Sequence, residues 1–189
     1  MLSIPQVKSL LRQRLCDYRY IHSLNVAEEA RRLAGNYGEN EDRAYYAGLI
    51  HDCMKDVTRD SAMAYMHNYG IEMTDLELDA IKLWHAVLGA DYAERFIGVH
   101  DADIINSVRY HTTARSGMSL LERIIYLADY TSAEREYNGV EDMCRAVDIS
   151  LESAMKIALD FTVGDLNSKG VPVHPDTLAA LCEINAILT

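Results

Sequence analysis

Chain-breaking residues are scarce in this sequence: its 189 residues include 3 prolines and 10 glycines. No long alternation of apolar and polar residues accompanies them, which argues against a sheet protein and predicts helices joined by short turns. No apolar run approaches the roughly 20 residues that a membrane span needs. The segment Met1–Cys16 also lacks the continuous apolar core of a signal peptide. These absences predict a cytoplasmic protein with no membrane contact.

The four cysteines show no C-x-x-C spacing, which argues against a zinc knuckle or a dithiol redox motif and predicts reduced, mostly buried thiols. Positive charge is also in deficit, with 18 Lys and Arg against 29 Asp and Glu and a net charge of −11. A protein this acidic is not expected to bind nucleic acid or an anionic membrane non-specifically. An anionic substrate would therefore need positive charge concentrated locally, on metal ions and a few basic side chains.

Apolar spacing and helix-capping residues divide the chain into helices. One helix contains Leu33 and ends near Gly38. Thr74 and Ser119 each precede a glutamate by three residues, which is capping-box spacing, and Pro175 suits the first turn of a final helix. The other predicted helices span residues 41–51, 59–69, 86–96, 103–111, 119–130, a stretch at 142–166 that an interruption could divide, and 175–188. Because no repeat or long linker intervenes, we predict one compact all-α domain.

Several polar residues occupy the apolar faces of these helices, where residues three or four apart lie together. The shared stripes are His22 with Val26 and Leu33, His51 with Ala44 and Ala47, His85 with Leu78 and Ile81, His111 with Ile104 and Val108, and Asp129 with Leu121, Ile125 and Ala128. A lone histidine on such a face is usually a hydrogen-bonded core residue, and a buried carboxylate is costly unless it is paired or binds a metal. One shared metal centre accounts for every stripe at once, and for Asp52, which directly follows His51.

The donor types narrow the kind of metal. Imidazole nitrogen and carboxylate oxygen suit iron, manganese, cobalt, nickel or zinc, and the absence of cysteine ligands argues against a structural zinc site. The remaining histidines have simpler interpretations. His67 and His100 fall in polar segments and are expected at the surface, whereas His174 is expected to enter the last helix rather than to bind metal.

The order of the candidate ligands resembles that of the six-ligand HD superfamily, and the chain is more closely similar to the bacterial YqeK-type hydrolases, which split diadenosine tetraphosphate symmetrically. The likeness covers nearly the whole chain. The matching segments are RYIHS at 19–23, HDCMK at 51–55, WHA at 84–86, RYHTT at 109–113, ERIIYLAD at 122–129, GVE at 139–141, KG at 169–170 and HP at 174–175. Two departures lie beside the expected substrate pocket: Ala114 stands where such proteins commonly have glycine, and Ser132-Ala133 stands where they commonly have Glu-Pro, although Arg135 is retained.

This resemblance implies a single HD-domain helical bundle over residues 1–189, with a core at about 18–130 and C-terminal helices at 139–189 packed on it. It also implies two divalent or transition metal ions, with iron expected and manganese, cobalt, nickel or zinc as alternatives. One ion would be held by His22, His51, Asp52 and Asp129. The other would be held by Asp52, His85 and His111, so that Asp52 bridges the two.

The resemblance further implies the reaction. Two ions about 3.5–4 Å apart can share a hydroxide, which would attack a phosphorus beside the central bridging oxygen and release two nucleoside diphosphates. Asp52 and Lys55 are the expected catalytic residues. Lys55 lies one helical turn after Asp52, where it would meet a substrate phosphate or the transition-state charge, the alternative being a surface lysine.

Four residues are candidate substrate ligands beside Lys55. Arg19 would reach a phosphate or a core carboxylate. Arg115 and Arg135 fall in loops near the metal end, where they would bind distal phosphates or remain solvated. Thr112 would bind a phosphate or cap a helix end.

Other functions remain open at this point. They include another HD-type nucleotide phosphohydrolase, such as a nucleotidase or phosphodiesterase, a di-iron oxygenase, and a non-catalytic module that binds a nucleotide. The expected partner is a dinucleoside polyphosphate or another nucleotide, and the sequence leaves a homodimer open.

Overall fold

The computed structural model describes residues 1–189 and contains eleven α-helices and no strand, which confirms the all-α prediction. The helices are α1 (Ile4–Arg14), α2 (Asp17–Tyr37), α3 (Glu41–Ile50), α4 (Arg59–Tyr69), α5 (Asp75–Asp79), α6 (Ile81–Tyr92), α7 (Ala102–Tyr110), α8 (Leu120–Thr131), α9 (Val140–Ile149), α10 (Leu151–Ser168) and α11 (Pro175–Ile187). A π-helical turn, Ala93–Ile97, extends α6. None of the helices combines the length and apolar character that a bilayer span requires.

Local capping explains where several helices begin and end. The Asn40 side chain accepts a hydrogen bond from a backbone N–H at the start of α3, and Gly38 ends α2 with a φ of +77°, a conformation that glycine adopts without a Cβ clash. The capping box predicted at Thr74 forms in full. At Ser119 only half of it forms: the serine caps α8, but the Glu122 carboxylate binds an arginine instead.

One predicted interruption is confirmed, whereas one predicted helix and one predicted stripe differ from the structure. The helix expected at 86–96 begins earlier, at Ile81, and ends at Tyr92, where the π-helical turn continues it. Residues 142–166 form two helices, because Ser150 is extended (φ −159°) and caps α10, so the interruption is confirmed. The predicted stripe of Leu78, Ile81 and His85 is wrong. The helix ends at Ala80 and a new one begins, so the helical phase restarts, and Leu78 and Ile81 are 45% and 50% exposed.

The cysteines were predicted to be reduced and mostly buried, and the structure confirms the first property but not the second. All four thiols are free, but only Cys53 is buried, whereas Cys144 is half-buried and Cys16 and Cys182 are exposed. Cys16 lies at the cap of α2 and Cys182 on an outward position of α11, so neither faces the core. Burial of a thiol here follows from its place on a helix rather than from its residue type.

The core is a single cluster of 43 buried apolar residues contributed by helices from both ends of the chain. Within it, α2 and α3 cross closely at Gly48. A Cβ at this position would lie 2.9 Å from the Ala27 Cα atom and 3.0 Å from the Val26 carbonyl oxygen. This contact sets the separation between α2, which carries His22, and the end of α3, which leads into His51.

Replacing Gly48 by alanine should therefore destabilise the fold. Although alanine favours a helix, the added methyl would meet backbone atoms that cannot rotate away, and we expect a net loss of about 1–3 kcal/mol in the free energy of unfolding. Gly164 is the matched control, because it is also helical but has nothing within 4 Å of an added Cβ. Gly164→Ala should gain about 0.5–1 kcal/mol. Urea unfolding of both variants measures the difference, and equal stability of the two would contradict the close crossing.

Candidate metal centre

Five elements bring the six predicted ligands together. His22 lies in α2, His51 and Asp52 follow α3, His85 lies in α6, His111 follows α7, and Asp129 lies near the end of α8. The first five side chains are 0–6% exposed, and that of Asp129 is 20% exposed. The apolar stripes predicted beside His22, His51, His111 and Asp129 are buried, which carries these polar residues inward. His85 is carried inward by α6, in which its neighbours Trp84 and Ala86 are buried.

Asp52 lies between two pairs of histidines. Its Oδ1 atom is 3.1 Å from Nε2 of His85 and 3.3 Å from Nε2 of His111. Its Oδ2 atom is 3.8 Å from Nε2 of His22 and 3.7 Å from Nε2 of His51. One carboxylate therefore presents a different oxygen to each pair of imidazoles. Asp129 joins the second pair, with Oδ1 3.0 Å from Nε2 of His22.

Three polar atoms at the centre of this cluster lack hydrogen-bond partners of suitable geometry. Nε2 of His22, Nε2 of His51 and Oδ1 of Asp52 are all buried without one. Such groups cost roughly 1–3 kcal/mol each unless a further partner satisfies them. The potential ligand atoms of His22, His51 and Asp129, and those of His51, Asp52 and His111, lie within 4.8 Å of one another. This donor set fits divalent metal ions.

The histidines are also held in a form that can bind metal. Nδ1 of His51 lies 2.7 Å from the Gly48 carbonyl oxygen, and Nδ1 of His111 lies 2.7 Å from the Val108 carbonyl oxygen. A proton on Nδ1 leaves the Nε2 lone pair facing the cluster. Burial lowers the pKa of His51 to about 3 and that of His85 to about 4, so both rings are neutral at pH 7.

His22 is held differently, by a carboxylate that the sequence analysis did not identify. Its Nδ1 atom contacts Glu134, whose other oxygen accepts a hydrogen bond of 2.6 Å from Asn25, while Ser132 donates one of 2.8 Å to the first. Burial opposes ionisation of Glu134, but the hydrogen bonds from His22, Asn25 and Ser132 outweigh it and lower the pKa of this carboxyl to about 2. Glu134 is therefore ionised at neutral pH.

Lys55 and Arg19 lie against the cluster. The Lys55 ammonium is 2.9 Å from Nε2 of His85 and 3.4 Å from Asp52, and the Arg19 guanidinium is 3.7 Å from Asp52. Burial would raise the pKa of the Asp52 carboxyl, but the neighbouring imidazoles and Lys55 hold it well below its usual range. Lys55 is thus not an isolated surface lysine. Arg19 approaches a core carboxylate, which is one of the two roles predicted for it.

A cleft of about 470 Å³ opens beside these two residues. We call it the basic cleft; it is lined by Arg19, Lys55, Arg59, Lys82 and His85 with six apolar residues, and no carboxylate lines it. Arg59 and Lys82 were missed by the sequence analysis. They begin α4 and α6, and no spacing in the sequence connects either of them to the histidines.

A second cleft, of about 350 Å³, opens at His111 and Asp129. We call it the aromatic cleft; it is lined by His111, Thr112, Asp129, Tyr130, Arg135, Tyr137 and Phe161. Arg135 contacts the Asp129 carboxylate. The Thr112 hydroxyl is buried without a partner, so it does not cap the end of α7. Tyr137 and Phe161 were not predicted, because their ring positions depend on how α10 packs.

Arg115 lies elsewhere. Two of its guanidinium nitrogens bind the fully buried Glu122 carboxylate at 2.7 and 2.6 Å, and it lines neither cleft. A buried carboxylate needs such a partner, so this arginine balances a core charge. A role in phosphate binding remains a prediction. His67 and His100 are exposed, and His174 caps α11 by accepting a hydrogen bond from the backbone N–H of Asp176, as predicted.

Comparison with known proteins identifies relatives along the whole chain. The HD domain family model matches residues 19–134. A protein of Bacillus subtilis named bis(5'-nucleosyl)-tetraphosphatase, symmetrical, is 34% identical over 88% of this chain and 89% of its own. A protein of Halalkalibacterium halodurans with the same name is 35% identical over 90% of each chain. A crystal structure from Clostridium acetobutylicum, described as a "predicted HD superfamily hydrolase involved in NAD metabolism", superimposes with a TM-score of 0.94 at 36% identity, covering 99% of each chain.

The position of Asp52 predicts the effect of removing it. Asp52→Ala deletes the carboxylate that faces both histidine pairs, so we expect loss of most metal from both positions. Asp129→Ala is the comparison, because Asp129 approaches His22 and His51 but not the other pair, and it should retain about half of the metal that the parent binds. Elemental analysis of purified protein measures this, with circular dichroism to verify helix content. Parental metal content in Asp52→Ala would contradict the bridging arrangement.

Proposed function

The chain belongs to the HD domain family, and on that basis we propose that it is a metal-dependent phosphohydrolase that splits diadenosine tetraphosphate into two molecules of ADP. The observation that carries the proposal is the placement of Asp52, with one oxygen toward His85 and His111 and the other toward His22 and His51. The names of the Bacillus and Halalkalibacterium relatives support the choice of substrate.

We propose two metal ions at this cluster, held by the residues His22, His51, Asp52, His85, His111 and Asp129. When bound, such a pair supplies Lewis acidity and stabilises the charge that develops during in-line displacement at phosphorus. Iron is our first choice of metal because the resemblance to the HD superfamily implies it, whereas imidazole and carboxylate donors by themselves suit several transition metals. Metal analysis of protein purified without added metal tests that choice against manganese, cobalt, nickel and zinc.

The surrounding residues would hold the polyphosphate. The protein carries a net charge of −11, so an anionic substrate needs positive charge concentrated locally, and the basic cleft supplies four cationic side chains with no carboxylate in its lining. Lys55 is closest to the cluster among them and would meet the phosphate under attack. Arg135 would contact the phosphates that enter the aromatic cleft. The central bridging oxygen would then lie over Asp52, with two phosphates extending toward each cleft.

This pose determines which bond breaks. Lys55 in the basic cleft and Arg135 in the aromatic cleft would hold the middle of the tetraphosphate chain at the metal-binding residues. Cleavage at the central bridging oxygen then gives two diphosphates. The Asp52 carboxylate would remain ionised during the reaction, because each of its oxygens faces one of the two histidine pairs and would hold a metal ion there. Lys55, with its ammonium near His85, would stabilise negative charge on the oxygens of the reacting phosphate.

We also propose that the enzyme works in the cytoplasm. All four of its cysteines are free, as is usual in reducing compartments. Its acidity disfavours nucleic acid as a partner. The partner that we propose is therefore a small nucleotide.

The products test the proposed function. Hydrolysis of diadenosine tetraphosphate by the metal-loaded protein should yield ADP alone, and in oxygen-18 water one of the two ADP molecules per turnover should carry the label. Lys55→Ala should lower kcat about 100-fold, the loss typical of one stabilising donor, while metal content stays unchanged. Lys156→Ala, which breaks an ion pair with Asp160 away from both clefts, is the control.

Other products would contradict the proposal in distinct ways. AMP with ATP would mean asymmetric cleavage and would exclude the pose. Oxygen consumption with a polyol or phosphonate, without phosphate release, would indicate a di-iron oxygenase. Tight nucleotide binding without turnover would indicate a binding module.

A further inference from the structure

Three aromatic rings lie together in the aromatic cleft. The centroid of Tyr137 is 6.4 Å from that of Tyr130 and 5.7 Å from that of Phe161. The hydroxyls are already satisfied inside the protein, since Tyr137 donates to the Tyr130 carbonyl oxygen at 3.1 Å and the Tyr130 hydroxyl lies 2.6 Å from that of Thr162. The two tyrosine rings are thus fixed by their hydroxyls, and what all three rings present to a ligand is apolar surface.

Phe161 is exposed at this edge. It is 48% exposed, and its ring partner is Tyr137. The other phenylalanine of the chain, Phe96, has a similar exposure of 44% but packs against Tyr65, Tyr69 and Tyr92. The two exposed phenylalanines therefore differ in setting: one belongs to a cluster of rings, and the other borders a cleft that reaches His111 and Asp129.

The cleft joins an apolar flat surface to polar groups at its inner end. Arg135 and the unpartnered hydroxyl of Thr112 lie beside His111 and Asp129. A ligand that fills it must therefore combine an uncharged planar ring with an anionic group placed toward the cluster. A nucleoside diphosphate has this combination, and every nucleobase offers a π-face that can stack on an aromatic side chain.

We propose that the aromatic cleft is a nucleobase site, in which Phe161 and Tyr137 stack on the base of one half of the substrate. This inference rests on the proposed function and specifies its binding mode. The basic cleft offers no matching surface, since its one aromatic residue, Trp84, is 6% exposed and its indole N–H donates to the Glu77 carbonyl oxygen. The two halves of a symmetrical substrate are therefore recognised differently, one by stacking and the other by charge.

Calorimetry on the metal-loaded protein with two probes, ADP and pyrophosphate, tests this site. Phe161→Ala should weaken ADP binding about 5- to 150-fold, the range that one base–aromatic stack contributes, and leave pyrophosphate binding unchanged. Phe161→Trp should retain ADP binding, and Phe96→Ala is the matched control, with parental affinity for both probes.

Two results would overturn the proposal: parental ADP affinity in Phe161→Ala, or an equal loss of ADP and pyrophosphate affinity. If the parent protein failed to hydrolyse diadenosine tetraphosphate but still showed a Phe161-dependent preference for ADP over pyrophosphate, the proposed function would fail and the nucleobase site would stand.

A second inference follows independently from Glu134. The imidazoles of His51 and His111 are oriented by backbone carbonyls three residues earlier in their own helices. His22 instead contacts a carboxylate 112 residues away in the chain, and that carboxylate is fixed in turn by Asn25 and Ser132. A carboxylate on one imidazole nitrogen orients the ring and strengthens the other nitrogen as a ligand.

We infer that Glu134 is a positioning residue for His22 and raises metal affinity on the His22–Asp129 side of the cluster. Glu134→Ala should weaken metal binding about 10- to 100-fold, measured by competition with a chromophoric chelator. Glu136→Ala removes the same charge from an exposed neighbour and should change nothing. The Ser132 hydroxyl lies 2.8 Å from Glu134 Oε1, so Ser132→Glu in the Glu134→Ala protein places a carboxylate in the same space and should restore affinity.

A purely structural role makes different predictions. It would lower the melting temperature of Glu134→Ala without changing metal affinity, and Ser132→Glu would not rescue it. Parental metal affinity in Glu134→Ala, or equal losses in Glu134→Ala and Glu136→Ala, would overturn the inference.

Discussion

The structure depends on finding partners for a set of buried polar atoms that have no hydrogen-bond partner within the protein. Asp52 lies at the centre of this set, between four imidazoles that are almost fully buried. Hydrogen bonds satisfy the outer nitrogens of His51 and His111, but several inner atoms have no partner. A metal centre removes that penalty, and it also explains why an otherwise ordinary helical core tolerates so many polar side chains.

The charge distribution follows a related rule. Some arginines neutralise buried acids: Arg115 binds Glu122, and Arg109 binds Glu77. Neither of these arginines lines the basic cleft or the aromatic cleft, so neither faces a substrate there. The basic cleft is different, because no acid lines it. Two of its four cations, Lys55 and Arg19, approach Asp52 at the cluster, and Arg59 and Lys82 pair with no acid. In a chain with a net charge of −11, an anion can bind where cationic side chains gather away from acids, so the pairing of individual cations matters more than the net charge.

The two departures from similar hydrolases have structural counterparts. Ala114 has a φ of +55° and is the one non-glycine residue with positive φ, a conformation that costs an L-residue about 1–2 kcal/mol. The glycine that such proteins commonly carry here would avoid that strain. Ser132 stands where they commonly carry glutamate, and in this chain it donates to Glu134, which contacts His22.

The sequence alone determined the helical class, most helix ends and the inward direction of His22, His51, His111 and Asp129, because helical periodicity and capping are local properties. The stripe predicted for His85 is wrong, because the helix break at Ala80 restarts the helical phase. His174 illustrates this, since its role at the start of α11 depends on its immediate neighbours. Tertiary structure decided what those helices do together. It divided the two oxygens of Asp52 between two histidine pairs, paired Arg115 with a buried acid, and brought Arg59 and Phe161 into two separate clefts beside the cluster. Such contacts join residues tens to more than a hundred positions apart, as Glu134 and His22 do, and they depend on the packing of whole helices, which no local pattern encodes.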